Sequence, residues 1–185
     1  MSTYKTAYHH GALKDALLDA GEAMLEEGGP AAVGLREAAR RAGVSAMAPY
    51  RHFADKEALL VALATRGFQD FGRALREAAE TGGKDPLSAM GSAYVHYALA
   101  HPGRFRLMFG PAIPDRMSHP ELRAAGQAAF TALQAAIERQ AGPQGDGIPV
   151  RAIRGWAQVH GLAQLLLDGL LAQWEVEELI HAVMY

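Results

Sequence analysis

Cysteine is absent from the 185-residue chain. Its absence excludes disulfides, thiolate catalysis, and zinc or iron–sulfur sites built on cysteine. β-Branched residues are scarce as well, since Val, Ile and Thr together number 18 against 37 Ala and 21 Leu. Because Ala and Leu favour helices whereas β-branched residues favour strands, the composition predicts an all-α fold.

The sequence also lacks a long hydrophobic run. Residues 1–10 have no apolar core of the kind that a signal peptide needs. The most apolar stretch, Gly161–Ala172, is interrupted by Gln164 and Asp168 and is too short to span a bilayer. We therefore expect no membrane contact, and the lack of cysteine fits a cytoplasmic protein.

A large excess of charge of one sign is missing too, because the net charge is only −2. The charges are nevertheless unevenly distributed. Residues 34–56 contain five basic and two acidic residues, whereas residues 13–27 contain one basic and five acidic residues. A short basic segment beside an acidic helix indicates a surface that faces phosphate.

Helical periodicity, together with Gly and Pro at the breaks, divides the chain into a head (residues 1–54) and a body (residues 55–185). The head helices are predicted over Gly11–Glu27, Leu35–Ala42 and Ala46–Phe53. A long helix from Lys56 to about Glu80 opens the all-helical body. The other body helices are predicted over Pro86–Ala100, Arg104–Phe109, a segment after Pro120, Val150–Gln173, and Glu175 to the end, with a flexible linker at Ala141–Gly147.

Residues 35–53 have the layout of a helix-turn-helix, with a tight turn at Gly43 between two short helices. Four apolar residues are expected to pack against the first helix: Ala38, Ala39, Val44 and Phe53. The second helix would then face outward, and its small first residues would allow close approach to base edges in a major groove. Tyr50, His52 and Lys56 can donate hydrogen bonds to phosphates.

These residues form a recurrent pattern: a Gly43-Val44-Ser45 turn, then Tyr50-Arg51-His52-Phe53, then Lys56-Glu57-Ala58-Leu59. In this order and spacing, residues 9–65 resemble the TetR family of transcriptional regulators. The body resembles a C-terminal type of that family named for Trp, His and Gly. The matching residues there are Trp156, His160 and Gly161, with His101–Gly110 upstream.

The resemblance implies DNA contacts by residues on both helices of the motif. Its phosphate-contacting positions correspond to Tyr50, His52 and Lys56. The positions that face the groove correspond to Ala46, Met47, Ala48 and Arg51, and Arg36 corresponds to a position that often reaches DNA from the start of its helix. Ser45 is expected at the same surface because it is left facing outward when the apolar side of the motif is buried. Gly34 replaces the usual Ser or Thr, and residues 46–48 offer no hydrogen-bonding side chain, so base reading would depend on Arg51, Arg36 and contacts to thymine methyl groups.

Aromatic residues of the body are candidates for a small-molecule pocket, since large rings with a few polar tips suit an apolar ligand. The candidates are Tyr94, Tyr97, Phe105, Met108, Phe109, Phe130, Trp156 and His160. The alternative is ordinary core and, for His160, a buried hydrogen-bonded histidine. No metal or cofactor is expected, because Glu178 and His181 form the sole Glu-x-x-His pair and a di-iron bundle needs two.

The last two helices carry more apolar surface than a small body easily hides. They therefore suggest a homodimer in which both helices pair across a two-fold axis, although an internal helix pair is the alternative. With the family resemblance, this predicts a repressor released from a palindromic operator by a small apolar ligand. The rival functions are an enzyme that uses His96, His160 or His181 as a base, and a helical adaptor without DNA affinity.

Overall fold

The computed structural model describes residues 10–141 and 147–184. Within those two ranges the chain is α-helical with no strand, as the composition predicted. The helices are α1 (His10–Ala32), α2 (Leu35–Arg41), α3 (Lys56–Thr81), α4 (Pro86–Ala100), α5 (Pro102–Phe109), α6 (Pro120–Ala141), α7 (Gly147–Leu167) and α8 (Val176–Met184), with 3₁₀ turns at Ala48–Arg51 and Arg116–Ser118. Of the predicted linker, residues 142–146 lie outside the described residues.

The head begins with α1, whose regular part ends at Gly28 and Gly29, as the sequence predicted. Gly29 has a φ of 68°, which ends the regular helix before Pro30. Helix α2 packs on α1 through the buried residues Leu35, Ala38 and Ala39. It closes at Gly43, where φ is 68°, with Gly43 N–H bonded to Arg40 and Val44 N–H bonded to Ala39. This pair of bonds is a Schellman motif and turns the chain sharply.

The second helix of the motif is much shorter than the predicted Ala46–Phe53. The structure has a single 3₁₀ turn, Ala48–Arg51, in its place. Pro49 has no N–H and cannot donate to the Ser45 carbonyl, which accepts from Ala48 N–H at 2.9 Å instead. This i→i+3 bond winds the segment more tightly than an α-helix, so the prediction of a full helix was wrong.

Helix α3 connects the head to the body. Asp55 caps its N-terminus, since the Asp55 carboxylate accepts a hydrogen bond from Ala58 N–H at 2.8 Å. In the body α3 packs against α4 and α6, while α7 packs against α4 and α6. Helix α5 crosses to contact α1, so head and body share an interface. The boundary between them at residue 54 stays a prediction.

The C-terminal helices differ from the prediction of Val150–Gln173 and Glu175 to the end. Helix α7 stops at Leu167, and turns fill the interval before α8. Gly169 has a φ of 72°, and Gly169 N–H and Leu170 N–H close back on Leu166 and Leu165. This is a second Schellman motif, so the helix ends about six residues early for the same reason that α2 ends at Gly43.

Candidate nucleic-acid interface and ligand cavity

The segment after Gly43 presents its side chains outward. Met47 is 70% exposed and Tyr50 is 42% exposed. The predicted DNA contacts Ser45, Ala46 and Arg51 are exposed too, whereas Ala48 and His52 are half-buried. The residues beneath the segment are buried or half-buried, namely Ala38, Ala39, Val44, Pro49 and Phe53. Apolar residues therefore support the turn from beneath, and its outer side is exposed.

Two more predicted contacts flank this turn. Arg36 is exposed on α2, and Lys56 is exposed at the first position of α3. The Lys56 ammonium donates to the Ala31 carbonyl at 3.0 Å, which joins the start of α3 to the end of α1. An ammonium has three N–H donors, so this bond leaves capacity for a phosphate oxygen. The nine predicted DNA-contacting residues are thus exposed or half-buried, and their common role in DNA binding stays a prediction.

Arg40 and Arg41 have a different role, because both bind the Glu37 carboxylate. Their shortest distances to it are 2.6 and 2.9 Å, and Arg41 also pairs with Glu27 of α1 at 2.7 Å. The Arg40 and Arg41 hydrogen bonds lower the pKa of Glu37 to about 2. Arg41 therefore fastens α2 to α1, Arg40 pairs within α2, and carboxylates neutralise both arginines. Arg36 and Arg51 have no carboxylate within 4.0 Å in the described part of the chain and supply free positive charge.

A cavity of about 950 Å³ lies in the body between α3, α4, α6 and α7. Four of the predicted ligand-binding residues line it: Tyr94, Phe109, Phe130 and Trp156. Phe105 and His160 line a second cavity of about 390 Å³, which also borders Phe109. The predicted pocket residues are therefore divided between two spaces that share a wall. The volume of the larger space suits a ligand of ordinary drug size.

Tyr97 and Met108 line neither cavity. The Tyr97 hydroxyl donates to the Gly67 carbonyl at 3.1 Å, and Met108 is fully buried. A Cβ added at Gly67 would lie 2.8 Å from Met108 Sδ, so the glycine allows α3 and α5 to approach each other. Both residues lie in the interior packing around α3, which was the alternative interpretation of the aromatic set.

The wall between the cavities contains a chain of hydrogen bonds. Trp156 Nε1–H donates to the Tyr94 hydroxyl oxygen at 3.1 Å, and that hydroxyl lies 2.8 Å from His160 Nδ1. Because the indole can only donate, the Tyr94 proton is available for Nδ1, and a Tyr94-to-Nδ1 bond requires the Nε2–H tautomer of His160. Burial lowers the pKa of His160 and raises that of Tyr94. The network is therefore neutral at pH 7.

Two family models match separate parts of this chain. Residues 17–63 match the bacterial regulatory proteins of the tetR family, and residues 87–184 match the tetracyclin repressor-like C-terminal domain. The second match alone covers more than half of the chain. The chain belongs to the TetR family. It is a transcriptional regulator with a DNA-binding helix-turn-helix and a ligand-binding C-terminal domain.

Solved structures agree with this assignment. A protein of unknown function from Rhodococcus sp. RHA1 shares 32% identity and superposes with a TM-score of 0.82, covering 96% of this chain and 94% of that one. The fold also matches SmeT, the repressor of the Stenotrophomonas maltophilia efflux pump SmeDEF, at 22% identity and a TM-score of 0.60, covering 92% and 85%. LfrR from Mycobacterium smegmatis, solved in complex with proflavine, shares 22% identity and superposes with a TM-score of 0.62. The match covers 93% of this chain and 92% of LfrR. No curated protein matches the sequence.

Regulators of the TetR family bind DNA and small molecules, typically act as dimers, and are generally not enzymes. None of the helices in residues 10–141 and 147–184 is both long and apolar enough to cross a membrane. The assignment to the Trp-His-Gly subtype stays a prediction. The structure does give two of its residues a shared partner, because Trp156 and His160 both bond to Tyr94.

Sequence reasoning missed the junction between head and body in this TetR-family protein. The Glu26 carboxylate on α1 accepts from Gly103 N–H at 2.9 Å and Arg104 N–H at 3.2 Å, which caps α5. A Cβ at Gly103 would lie 1.9 Å from the Leu25 carbonyl oxygen, so the two helices touch backbone to backbone. The available signal was the glycine directly after Pro102, in the first turn of a helix.

Charged side chains surround the same junction. Arg104 binds Glu22 at 2.9 Å and Asp70 at 3.1 Å, which joins α5 to α1 and α3. Arg66 of α3 pairs with Asp19 of α1 at 2.7 Å. Burial raises the pKa of Glu22 despite the opposing effect of Arg104. The acidic face of α1 is therefore turned partly toward the body, where arginines neutralise it.

Proposed function

We propose that this protein is a homodimeric repressor that leaves a palindromic operator when a small, largely apolar ligand occupies its cavity. The observation that carries the proposal is the exposed turn of the helix-turn-helix, which is supported from below by buried apolar residues and flanked by unpaired arginines. Among the described residues, Met47, Tyr50 and Arg51 of this surface are exposed and thus accessible to a partner. The surface has the size and charge to enter a major groove.

In the proposed complex, contacts to the phosphate backbone come from Tyr50, His52 and Lys56. Arg51 and Arg36 reach base edges, and Ser45, Ala46, Met47 and Ala48 line the groove. Backbone contacts fix the position of the protein on DNA, whereas base contacts determine the sequence. Because Met47 is the most exposed large apolar residue among the described residues of the head, we expect it to contact a thymine methyl group.

Dimerisation through the C-terminal helices is supported by exposed apolar residues. They lie on α7 and in the turns that follow it: Val150, Ile153, Leu165, Leu170 and Trp174. The apolar side of α8 packs inward, where Ile180 is buried. We therefore place α7 at the centre of a two-fold interface that includes α8 at its edge. The two heads would need a separation of about 34–36 Å to meet successive major grooves.

Ligand release is supported by the course of α3, which begins at the head with Lys56 and lines the cavity with Phe68, Phe71 and Leu75. A ligand in the cavity thus touches the helix that carries the head. It can shift the protein away from DNA only if it binds one head spacing more tightly than the other. Two proteins of this fold support the proposal, since LfrR binds proflavine and SmeT is a repressor.

Selection of bound fragments from random DNA, followed by gel shift, tests this function. We expect a palindromic site bound by two protomers, with affinity that falls steeply as salt rises. Tyr50→Ala should weaken binding to every sequence, while the matched control Arg139→Gln, an exposed arginine on α6, should leave it unchanged. Binding no tighter than to shuffled DNA, or an unaltered affinity of the Tyr50→Ala variant, would refute the proposed interface.

A further inference from the structure

The charged residues that line the larger cavity all carry the same sign. They are Arg116, Arg123 and Arg151, and the described lining contains no Asp or Glu. The rest of the lining is aromatic or aliphatic, apart from Gln127, Gln140 and Gln158 and the Tyr94 hydroxyl. An apolar space bordered by cations alone has an electrostatic potential that favours an anionic guest.

Arg116 is the most informative of the three, since it is half-buried. Its guanidinium donates to the Leu107 and Gly110 carbonyls at 2.7 Å each and also to the Met108 carbonyl, at the C-terminal end of α5. No carboxylate of the described residues lies within 4.0 Å of it. Burial lowers the pKa of Arg116. Backbone carbonyls alone therefore hold the Arg116 guanidinium. An anion beside it would offset the cost of removing this charge from water.

The position of the arginines relative to the apolar lining indicates the shape of the ligand that the cavity can hold. Arg116 and Arg123 lie near the N-terminal end of α6, and the lining continues along that helix from Leu122 to Ile137. The fifteen residue-to-residue steps from Leu122 to Ile137 span about 23 Å at the helical rise of roughly 1.5 Å per residue. Arg151 and Gln140 lie at the opposite end. The cavity is thus elongated, with two cations at the end nearer the head.

We propose that the effector is an amphipathic anion with an extended apolar body along α6 and a carboxylate or phosphate head at Arg116 and Arg123. This inference rests on the proposed function, because it names the chemical class of that function's ligand. A neutral apolar compound would leave the arginines without a counter-ion, and a cationic compound would be repelled. Carboxylates and phosphates both accept paired hydrogen bonds from a guanidinium.

A series of dodecyl compounds that differ only in the head group tests the charge requirement. Trp156 lines the cavity whereas Trp174 does not, so Trp174→Phe protein reports binding through Trp156 fluorescence. Below their micelle concentrations, dodecanoate or dodecyl phosphate should bind at least about tenfold more tightly than dodecanol, since hydrogen bonds to an ionised partner are roughly twice as strong as those between neutral groups. Dodecyltrimethylammonium should not bind. The tighter of the two anions identifies the head group.

Arginine variants test the orientation of the ligand. Arg116 also holds the end of α5, so the variant of choice is Arg123→Gln, which is exposed and can be removed without loss of packing. It should weaken dodecanoate binding severalfold and leave dodecanol unchanged, while Arg139→Gln on the same helix should alter neither. A larger effect of Arg151→Gln than of Arg123→Gln would overturn the assigned orientation.

The proposed class of ligand and the proposed repressor function can be refuted independently of each other. If dodecanol binds as tightly as the anions, or if no member of the series binds, the inference of an anionic effector is wrong. Operator binding without ligand, measured by gel shift on the wild-type protein, decides the repressor proposal. If the protein binds the anions but does not bind operator DNA, the repressor proposal alone is refuted.

Discussion

Gly103→Ala should separate the head from the body at the α1–α5 contact. The added Cβ would lie 1.9 Å from the Leu25 carbonyl oxygen, 2.4 Å from its carbon and 2.9 Å from Glu26 N. All three are backbone atoms, so no rotamer change relieves the clash. The helices must part by roughly 1.5 Å to restore ordinary contact near 3.5 Å. That movement would stretch the hydrogen bonds from Gly103 N–H and Arg104 N–H to Glu26.

The cost combines overpacking with two weakened hydrogen bonds to a carboxylate. Overpacking costs about 1–3 kcal/mol, and with the partly exposed Glu26 bonds the total should be about 3 kcal/mol. For a chain of this size the loss corresponds to a fall in Tm of roughly 6–12 °C.

Calorimetry or circular dichroism would measure the change in Tm, and Gly126→Ala on α6 is the control. A Cβ at Gly126 would lie 3.9 Å from the Phe68 ring, so this variant should melt at the same temperature or slightly higher. If Gly103→Ala melts like the wild type, the backbone contact between α1 and α5 does not exist as described.

Three further predictions concern DNA reading and pH. Arg51→Ala should relax base preference at one operator position, whereas Tyr50→Ala should lower the affinity for all DNA sequences equally. Affinities measured on operators that differ at single bases test this difference. Burial lowers the pKa of His160, so its contribution to stability should fall as pH drops below about 6.5, where the unfolded chain takes up the proton. His160→Gln, which keeps an acceptor for Tyr94, should lose less Tm between pH 7.5 and 5.5. Glu37 has its pKa lowered to about 2 from 4.5, so its stabilising effect should be complete above pH 5 and disappear toward pH 2. Urea unfolding of Glu37→Gln at pH 6 and pH 3 should therefore show a smaller acid loss than the wild type.

The helix order and most helix ends could be predicted because they depend on local signals. Asp55 and Asp85 cap α3 and α4 as their sequence positions suggest. The same reasoning found the end of α2 at Gly43 and overlooked the end of α7 at Gly169, although both glycines have positive φ and the same closing bonds. The apolar residues around Gly169 favoured a longer helix, and periodicity outweighed the glycine there.

The cavity was less predictable than the helices, since it depends on contacts between distant segments. Aromatic content identified Phe109, Phe130 and Trp156, but gave no means of separating them from Tyr97, whose hydroxyl bonds to Gly67 on another helix. Arg116 escaped notice for the same reason. Its significance comes from the helix end it meets and from the absence of a described carboxylate nearby, and neither can be read from adjacent residues.

The bond from Lys56 to the Ala31 carbonyl affects how the head would meet DNA. A lysine side chain normally loses up to about 2 kcal/mol of rotamer entropy when it is immobilised by a partner. Here most of that ordering accompanies folding, before any nucleic acid is present. A DNA phosphate oxygen that approaches the start of α3 would therefore meet a preorganised Lys56 ammonium. Binding of the phosphate should then cost less conformational entropy than at a freely rotating lysine.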